Sequence, residues 1–328
     1  MLRYGGYDVR EERLKITFIM PVFNSGEYMV QAVDSIRANS CAHVDIEILL
    51  IDDCSTDPQT ARLLSELATA SDVRILHQAR NGGPARARNA GILAATGEWI
   101  AFLDSDDLLA SGSLLLRYNA IILHPKIRWM AGDMLEMRKL NELTHSKSFK
   151  VDSSNATMIG PGLFELKRPA KELITWATLP VLGSMMVHRD LIKEIGLFDD
   201  RMIYGEDIYF SLIASTQADL YWIERPCLYL RRHHESMMKD VLRLAHESPK
   251  YTRRLVAEPR LQVIRRQLRW QHAASLRQSS KVFLAHGFRF LALKLALISM
   301  LWTPNDVNSF RSLWRACFAR RVADRKRL

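Results

Sequence analysis

The chain has 328 residues, 48% of them hydrophobic and 25% charged, with a formal net charge of +10. That composition excludes a disordered polymer and a membrane bundle, and the length allows one large α/β domain with an appendage or two modest domains. The charge is unevenly placed: Asp240 to Leu328 holds 19 Lys and Arg against 5 Asp and Glu, whereas residues 1–239 hold 27 against 31. The two parts are therefore expected to meet different partners. Four scattered cysteines, Cys41, Cys54, Cys227 and Cys317, show no CxxC spacing and read as reduced thiols of a cytosolic protein. The first twenty residues put charges where an export signal needs an unbroken apolar stretch, so no signal peptide is predicted.

In chain order, KITFIMPVFN (15–24) reads as a strand ending in a Pro-containing loop. YMVQAVDSIRANS then places Met29, Ala32, Val33 and Ile36 on one helical face. DIEILLIDDCSTD (45–57) gives a second strand and a polar turn, followed by a helix from Pro58 to about Ala70, with proline at its favoured first position. VRILHQ is a third strand. After ARNGGP comes the small-residue helix ARARNAGILAAT, with Gly97 stopping it before the strand EWIAFLD (98–104). This alternation predicts a mainly parallel sheet with helices on both faces, and a ligand crevice outside the carboxyl ends of the strands. From Ser111 to Asp200 the pattern gives a helix, a strand near IRWMAGDMLEM, a loop-rich stretch to about Pro180, and a strand with a short helix in GSMMVHRDLIKEIGLFDD. YGEDIYFSLIAS is a glycine turn opening a helix, and beyond Met238 the chain turns to basic helices. No internal repeat is present.

Three polar clusters, at Asn24, at Asp52 and Asp53, and at Asp104 to Asp107, come directly after strand ends and are expected to converge on one crevice. In FLDSDD, Asp104, Asp106 and Asp107 crowd like charges that resist ionisation unless a cation sits among them. An EF-hand is excluded, because its further positions fall on Leu108, Leu109 and Leu115. Mg²⁺ or Mn²⁺ held partly by substrate phosphates fits the spacing, and so does a solvated turn capping the next helix. Asp53, with Asp52 and the Ser55-Thr56-Asp57 turn, can accept hydrogen bonds from a base or ribose, or form a simple Asx turn. GGPARARNAG offers backbone N–H groups and the cations of Arg86 and Arg88 to an anion. It lacks the spacings GxGxxG and GxxxxGK[ST], which removes the main support for a dehydrogenase or a P-loop NTPase.

The order of PVFN, IDDCSTD, GGPARARNAG, GEWIAFLDSDD, GLFDD, YGEDIYFSL and YLRRHHES resembles the nucleotide-sugar domain of the family 2 glycosyltransferases, whose fold is called GT-A, over residues 15–238. The chain is similar in this to bacterial polysaccharide-biosynthesis transferases. The resemblance implies that Pro21, Phe23 and Asn24 line the nucleotide pocket, Phe23 standing where relatives often carry tyrosine, and that Asp53 meets the base. It implies Asp104 near the ribose, and Asp106 with Asp107 on a divalent cation between the phosphates. Asp207 is implied as catalytic base with Glu206 beside it, and His233, or alternatively His234, as facing the diphosphate or metal. A helix start favoured by the dipole is the plainer reading of Glu206 and Asp207. The expected reaction inverts an α-linked UDP-sugar onto a hydroxyl of a glycan or lipid-linked acceptor. A catalytically silent sugar-nucleotide binder or scaffold and a nucleotidyltransferase are the rival classes.

The expected domains are 1–238, catalytic, and 239–328, a basic helical extension. VFLAHGFRFLALKLALISMLW (282–302) has the length of a membrane span but contains Arg289 and Lys294, each costing roughly 2.5–3.5 kcal/mol near a bilayer centre. An interfacial or packed helix is expected instead. The charge points to peripheral attachment to an anionic membrane surface, on the cytoplasmic face. Basic helices without motif or aromatic interleaving do not predict nucleic acid.

Overall fold

The computed structural model describes residues 2–4, 7–9, 13–139, 142–145, 156–175, 180–232 and 240–318. After a small hairpin of β1 (Leu2–Tyr4) and β2 (Tyr7–Val9), the chain alternates as the pattern demands: β3 (Leu14–Val22), α1 (Glu27–Ala38), β4 (Val44–Asp52), α2 (Pro58–Leu67), β5 (Val73–His77), α3 (Pro84–Ala94) and β6 (Trp99–Phe102). These strands are parallel in the order β5-β4-β3-β6. Both faces of β3 are covered, which explains its unbroken apolar run. Ile16, Phe18, Met20 and Val22 join the cluster that holds Met29, Val33 and Ile36 of α1. On the other face α3 comes so close that a Cβ on Gly91 would lie 2.4 Å from Ile19 Cγ2. Asp57 caps α2, its Oδ2 accepting from Thr60 N at 2.8 Å, with Pro58 in the first turn.

Beyond this half the sheet is mixed. It continues through β7 (Leu108–Leu109), α4 (Ser113–Leu123), β8 (Trp129–Lys139), β9 (Glu142–His145), β10 (Ala156–Gly160), β11 (Leu163–Leu166), α5 (Ala170–Thr175), β12 (Met186–His188), α6 (Arg189–Ile195), α7 (Glu206–Gln217) and β13 (Leu220–Arg231). Short β12 runs antiparallel to both β6 and β8, joining the two halves into one eleven-stranded sheet. The stretch expected to be loop-rich up to Pro180 is corrected here: it holds the end of β8, β9 and the hairpin β10–β11. Pro161-Gly162, with Gly162 at φ +69°, makes the two-residue turn of that hairpin. β13 also escaped the sequence pattern, because Pro226 interrupts it. The ladder to β8 shifts register on both sides of that proline, as a bulge does.

The chain divides into two units: Met1–Pro169 with Trp176–Arg201 and Glu206–His233, and Ala170–Thr175 with Met202–Gly205 and His234–Leu328. The second is helical: α8 (Val241–Ala257), a 3₁₀ segment Pro259–Ile264, α9 (Arg265–Ala285), α10 (Arg289–Trp302) and α11 (Val307–Phe318). Its contacts are close because small residues line them; Ala273, Ser279, Ser280, Ala292, Ala296, Ser299, Ser309 and Ala316 are all buried. Several polar groups inside are paired: His272 Nδ1 lies 2.8 Å from Thr252 Oγ1, Ser280 Oγ donates to Ala292 O, and Arg277 pairs with Asp306 at 2.7 Å. Among the described residues, no helix is long and apolar enough to cross a membrane.

Candidate active site

Four loops at the carboxyl ends of β3, β4, β5 and β6 are locked to one another by hydrogen bonds. Asn24, held at φ +51°, accepts Thr56 N–H and Asp57 N–H on its Oδ1 at 2.8 and 2.9 Å, and its own N–H donates to Ser55 Oγ at 3.0 Å. Ser25 Oγ lies 2.7 Å from Ser105 Oγ, linking the first loop to the acidic turn. Buried Asp53 turns onto the glycine loop, its two oxygens accepting from Gly82 N and Gly83 N at 2.8 and 2.7 Å. Gly83 has φ +81°, a conformation that favours glycine. Asp52 accepts Ser55 N–H at 2.9 Å and lies 2.9 Å from His77 Nδ1 at the end of β5. Of the residues expected at a nucleotide, Pro21 is half-buried and Phe23 is 48% exposed. Arg86 lies across Gly82, where an added Cβ would meet its Cδ.

Arg88 departs from the expectation of an anion-facing side chain. It is 4% exposed; Nη2 donates to Asp104 Oδ1 at 2.7 Å and Nη1 to Glu206 Oε1 at 2.8 Å. Its guanidinium lies 5.8 Å from the centre of the Phe198 ring, which stacks on Phe210 at 4.4 Å. Beside it Asn89 exchanges two hydrogen bonds with the backbone of Phe198, both 2.9 Å. Thus ARN, GLFDD, GED and the acidic turn, distant in sequence, meet around one buried cation. Burial works against the charge on Arg88, but Asp104 and Glu206 more than offset it and raise its pKa.

Burial raises the Glu206 carboxyl above the ordinary range, with Arg88 opposing and Asp207 reinforcing. Asp207 opens α7 and accepts from Ile208 N at 2.8 Å. It keeps some surface exposure, yet protein crowds its carboxyl, and desolvation pushes it up against the pull of Arg88. Desolvation and the neighbouring Asp106 and Asp104 push Asp107 up most clearly of the three.

Sequence reasoning missed Arg231. Its N–H donates to buried Asp107 Oδ1 at 2.8 Å, its Nε to the Asp106 carbonyl at 2.7 Å and its Nη2 to Gln31 Oε1 at 2.7 Å, and it lies 4.4 Å over the Tyr28 ring. It therefore holds the acidic turn from beneath. Its signal was present as the first arginine of RRHHES, where the histidines drew attention. His233 and His234 lie outside the described residues.

Residues 17–127 match the model of glycosyl transferase family 2. The chain carries a family 2 glycosyltransferase domain. That domain, together with the strands and helices C-terminal to it, has the mainly parallel, helix-flanked GT-A architecture: Staphylococcus aureus TarS superposes with a TM-score of 0.61 at 18% identity, covering 89% of this chain and 50% of TarS. A second crystal structure, TarS 1–349 in complex with UDP-GlcNAc, gives 0.56 at 17% identity, covering 92% and 90%. At that identity the likeness concerns the fold. In sequence the chain is 36% identical over 106 residues to glycosyltransferase GlyG of Streptococcus pneumoniae serotype 4, covering 32% of this chain and 35% of GlyG. It is also 36% identical over 208 residues to the poly(ribitol-phosphate) beta-glucosyltransferase of Bacillus spizizenii, covering 62% of this chain and 30% of that protein. The matches thus span about a third of these relatives' lengths.

Among the described residues, no three His, Cys, Asp or Glu side chains are gathered closely enough to hold a metal ion unaided. A Mg²⁺ or Mn²⁺ that travels with a diphosphate needs only one or two carboxylates, with phosphates and water completing its shell. Half-buried Asp106 would be the first carboxylate to hold such an ion, and Asp107 has one oxygen accepting from Arg231 N.

Proposed function

We propose that this protein is an inverting glycosyltransferase that moves a sugar from a UDP-sugar to a hydroxyl of a glycan or lipid-linked acceptor in surface-polysaccharide synthesis. The observation that carries the reading is the Arg88 clamp, which ties the acidic turn through Asp104 to α7 through Glu206, beside Asp207. It is supported by the UDP-GlcNAc complex of TarS and by the sugar transfer named for the Bacillus relative. Four free thiols favour a reducing compartment, the cytoplasm.

Asp207 accepts the proton of the acceptor hydroxyl while the hydroxyl oxygen bonds to the anomeric carbon, and the bond from that carbon to the diphosphate breaks with its electron pair leaving on phosphate. Desolvation suits Asp207 to this, since a carboxylate of raised pKa is a stronger base. Arg88 and Glu206 hold the two carboxylate-bearing segments in register. Asp106 would bind the cation, whose chemistry when bound is to stabilise negative charge on the leaving diphosphate. Exposed Phe23 would pack on the base, and Asp53 would shape the nucleotide loop.

The test is a panel of UDP-, GDP- and dTDP-sugars incubated with purified protein, with Mn²⁺ and with EDTA, followed by release of nucleotide. Metal-dependent release of UDP from one donor is the expected result. No turnover together with no calorimetric binding of any nucleotide would overturn the reading, while binding without turnover would favour a silent binder.

A further inference from the structure

Helices α10 and α11 pack Leu291, Leu293, Leu295 and Leu313 against the core of the helical unit, yet leave a second row of large apolar side chains outside. A helix of a water-soluble domain buries its large apolar stripe and shows polar residues to solvent. In α10 the buried positions are small, Ala292, Ala296 and Ser299, while Phe290, Leu297 and Leu301 are 84, 52 and 79% exposed. Those three stand at i, i+7 and i+11, so a 3.6-residue period stacks them on one side. α11 repeats the plan: Ser309, Ser312 and Ala316 are buried, whereas Val307, Phe310 and Trp314, at i, i+3 and i+7, are 61, 51 and 66% exposed. The two helices pack on each other, and Arg289 at the start of α10 donates to the carbonyls of Ala316 and Cys317 at the end of α11.

The charged residues within these two helices are all positive. Lys294, Arg311 and Arg315 are exposed on the same two helices. At the C-terminal end of α10, Arg265, Arg266 and Arg269 line a 350 Å³ cavity with Trp270 and Trp302. We infer that the outer faces of α10 and α11 dock on an anionic lipid bilayer, with Phe290, Leu297, Leu301, Phe310 and Trp314 entering the interface and the Arg265–Arg269 cavity taking phosphate headgroups, independently of the transfer reaction. At fourteen residues α10 is too short to span, so it lies in the interface plane. Charge complementarity selects the bilayer as occupant. A second copy on the same face would bring like charges together across a two-fold axis, whereas an anionic surface attracts each of them.

The test is flotation of the full chain with vesicles of phosphatidylcholine alone and with phosphatidylglycerol added, paired with sedimentation equilibrium. The expected result is recovery with the anionic vesicles only. Phe290→Ser and Leu301→Ser should each weaken it about tenfold, and Arg265→Gln, Arg266→Gln and Arg269→Gln about fivefold each. These positions are exposed, and unchanged circular dichroism verifies the fold of each variant. Equal recovery with both vesicle types, no recovery, or insensitivity to Leu301→Ser would overturn the inference. So would a concentration-dependent dimer abolished by Leu301→Ser, which would make the face a subunit contact. Nucleotide release is unaffected by these outcomes, so failure here leaves the transferase reading standing.

Discussion

In the sheet-bearing unit, β3 buries Ile16, Phe18, Met20 and Val22 beneath α1. In the helical unit, α10 buries Ala292, Ala296 and Ser299 and leaves Phe290, Leu297 and Leu301 outside. β3 encloses all of its bulk; α10 fully encloses only small residues and presents one row of large ones. Apolar periodicity is present in both, which teaches that a hydrophobic stripe establishes an amphipathic element without establishing which side faces the protein. The charges divide the same way, with −4 over residues 1–239 and +14 beyond. The anionic part carries the candidate catalytic carboxylates, and the cationic part carries a face suited to an anionic surface.

The sharpest break between the units should come from Asp207→Asn. Transfer should fall by about a hundredfold to ten-thousandfold with KM for donor little changed, while vesicle binding stays at the wild-type level; steady-state kinetics and flotation on one preparation measure both. Arg88→Ala strands the buried carboxylate of Glu206 and unpairs the half-exposed Asp104, and should destabilise the sheet unit by about 3 kcal/mol, read as a shifted urea midpoint. Arg88→Lys should not restore it, because an ammonium cannot fork to Asp104 and Glu206.

Titration sharpens the comparison further. As the proposed base, Asp207 would work only when ionised, and its pKa is raised by desolvation, so kcat/KM should fall, as pH drops, above the ordinary aspartate range. An acid limb at the ordinary value would contradict its role. Stability should respond at different pH in the two units. His272 is buried and neutral, lowered from 6.5 to about 4 by desolvation and then by Arg253. The unfolded chain therefore takes up a proton that the fold refuses, and helical-unit stability falls as pH drops from 6.5 toward 4. Burial works against ionised Glu47, but Thr17, Thr96 and Arg74 hold it down from 4.5 to about 2. Its contribution is whole above 4.5 and lost as pH falls toward 2, so the sheet unit should weaken later. Denaturation followed across pH with His272→Gln and Glu47→Gln tests the order, since each substitution should flatten its own window alone. The smallest effect is Asp57→Ala, which removes the α2 cap and should cost about 1 kcal/mol in chemical denaturation.

Much of the sheet was legible because β3 through β6 alternate with helices at short range, and each strand end is marked by its own polar cluster. Asn24, Asp53 and Asp104 were found that way, and the structure brings their loops together. The second half of the sheet was less legible. Pro226 masked β13 by breaking its pattern, and the β10–β11 turn at Pro161-Gly162 was passed over inside a polar stretch. Arg88 illustrates the deeper limit. Its cation and its helix start were visible, but a buried pairing with a carboxylate 118 residues away was not.

Local chemistry, then, was determined by the sequence alone: the alternating elements, the acidic turn after β6, the cap of α2, the glutamate and aspartate opening α7, and the positive excess of the last ninety residues, because each depends on neighbours in the chain. Tertiary structure decided which carboxylates share a cation, that Asp107 is held by Arg231 and Asp53 holds the glycine loop, and that α10 and α11 each leave a row of large side chains outside. These depend on which segments exclude water from one another, and burial is a property of the packed chain, which no single stretch of it contains.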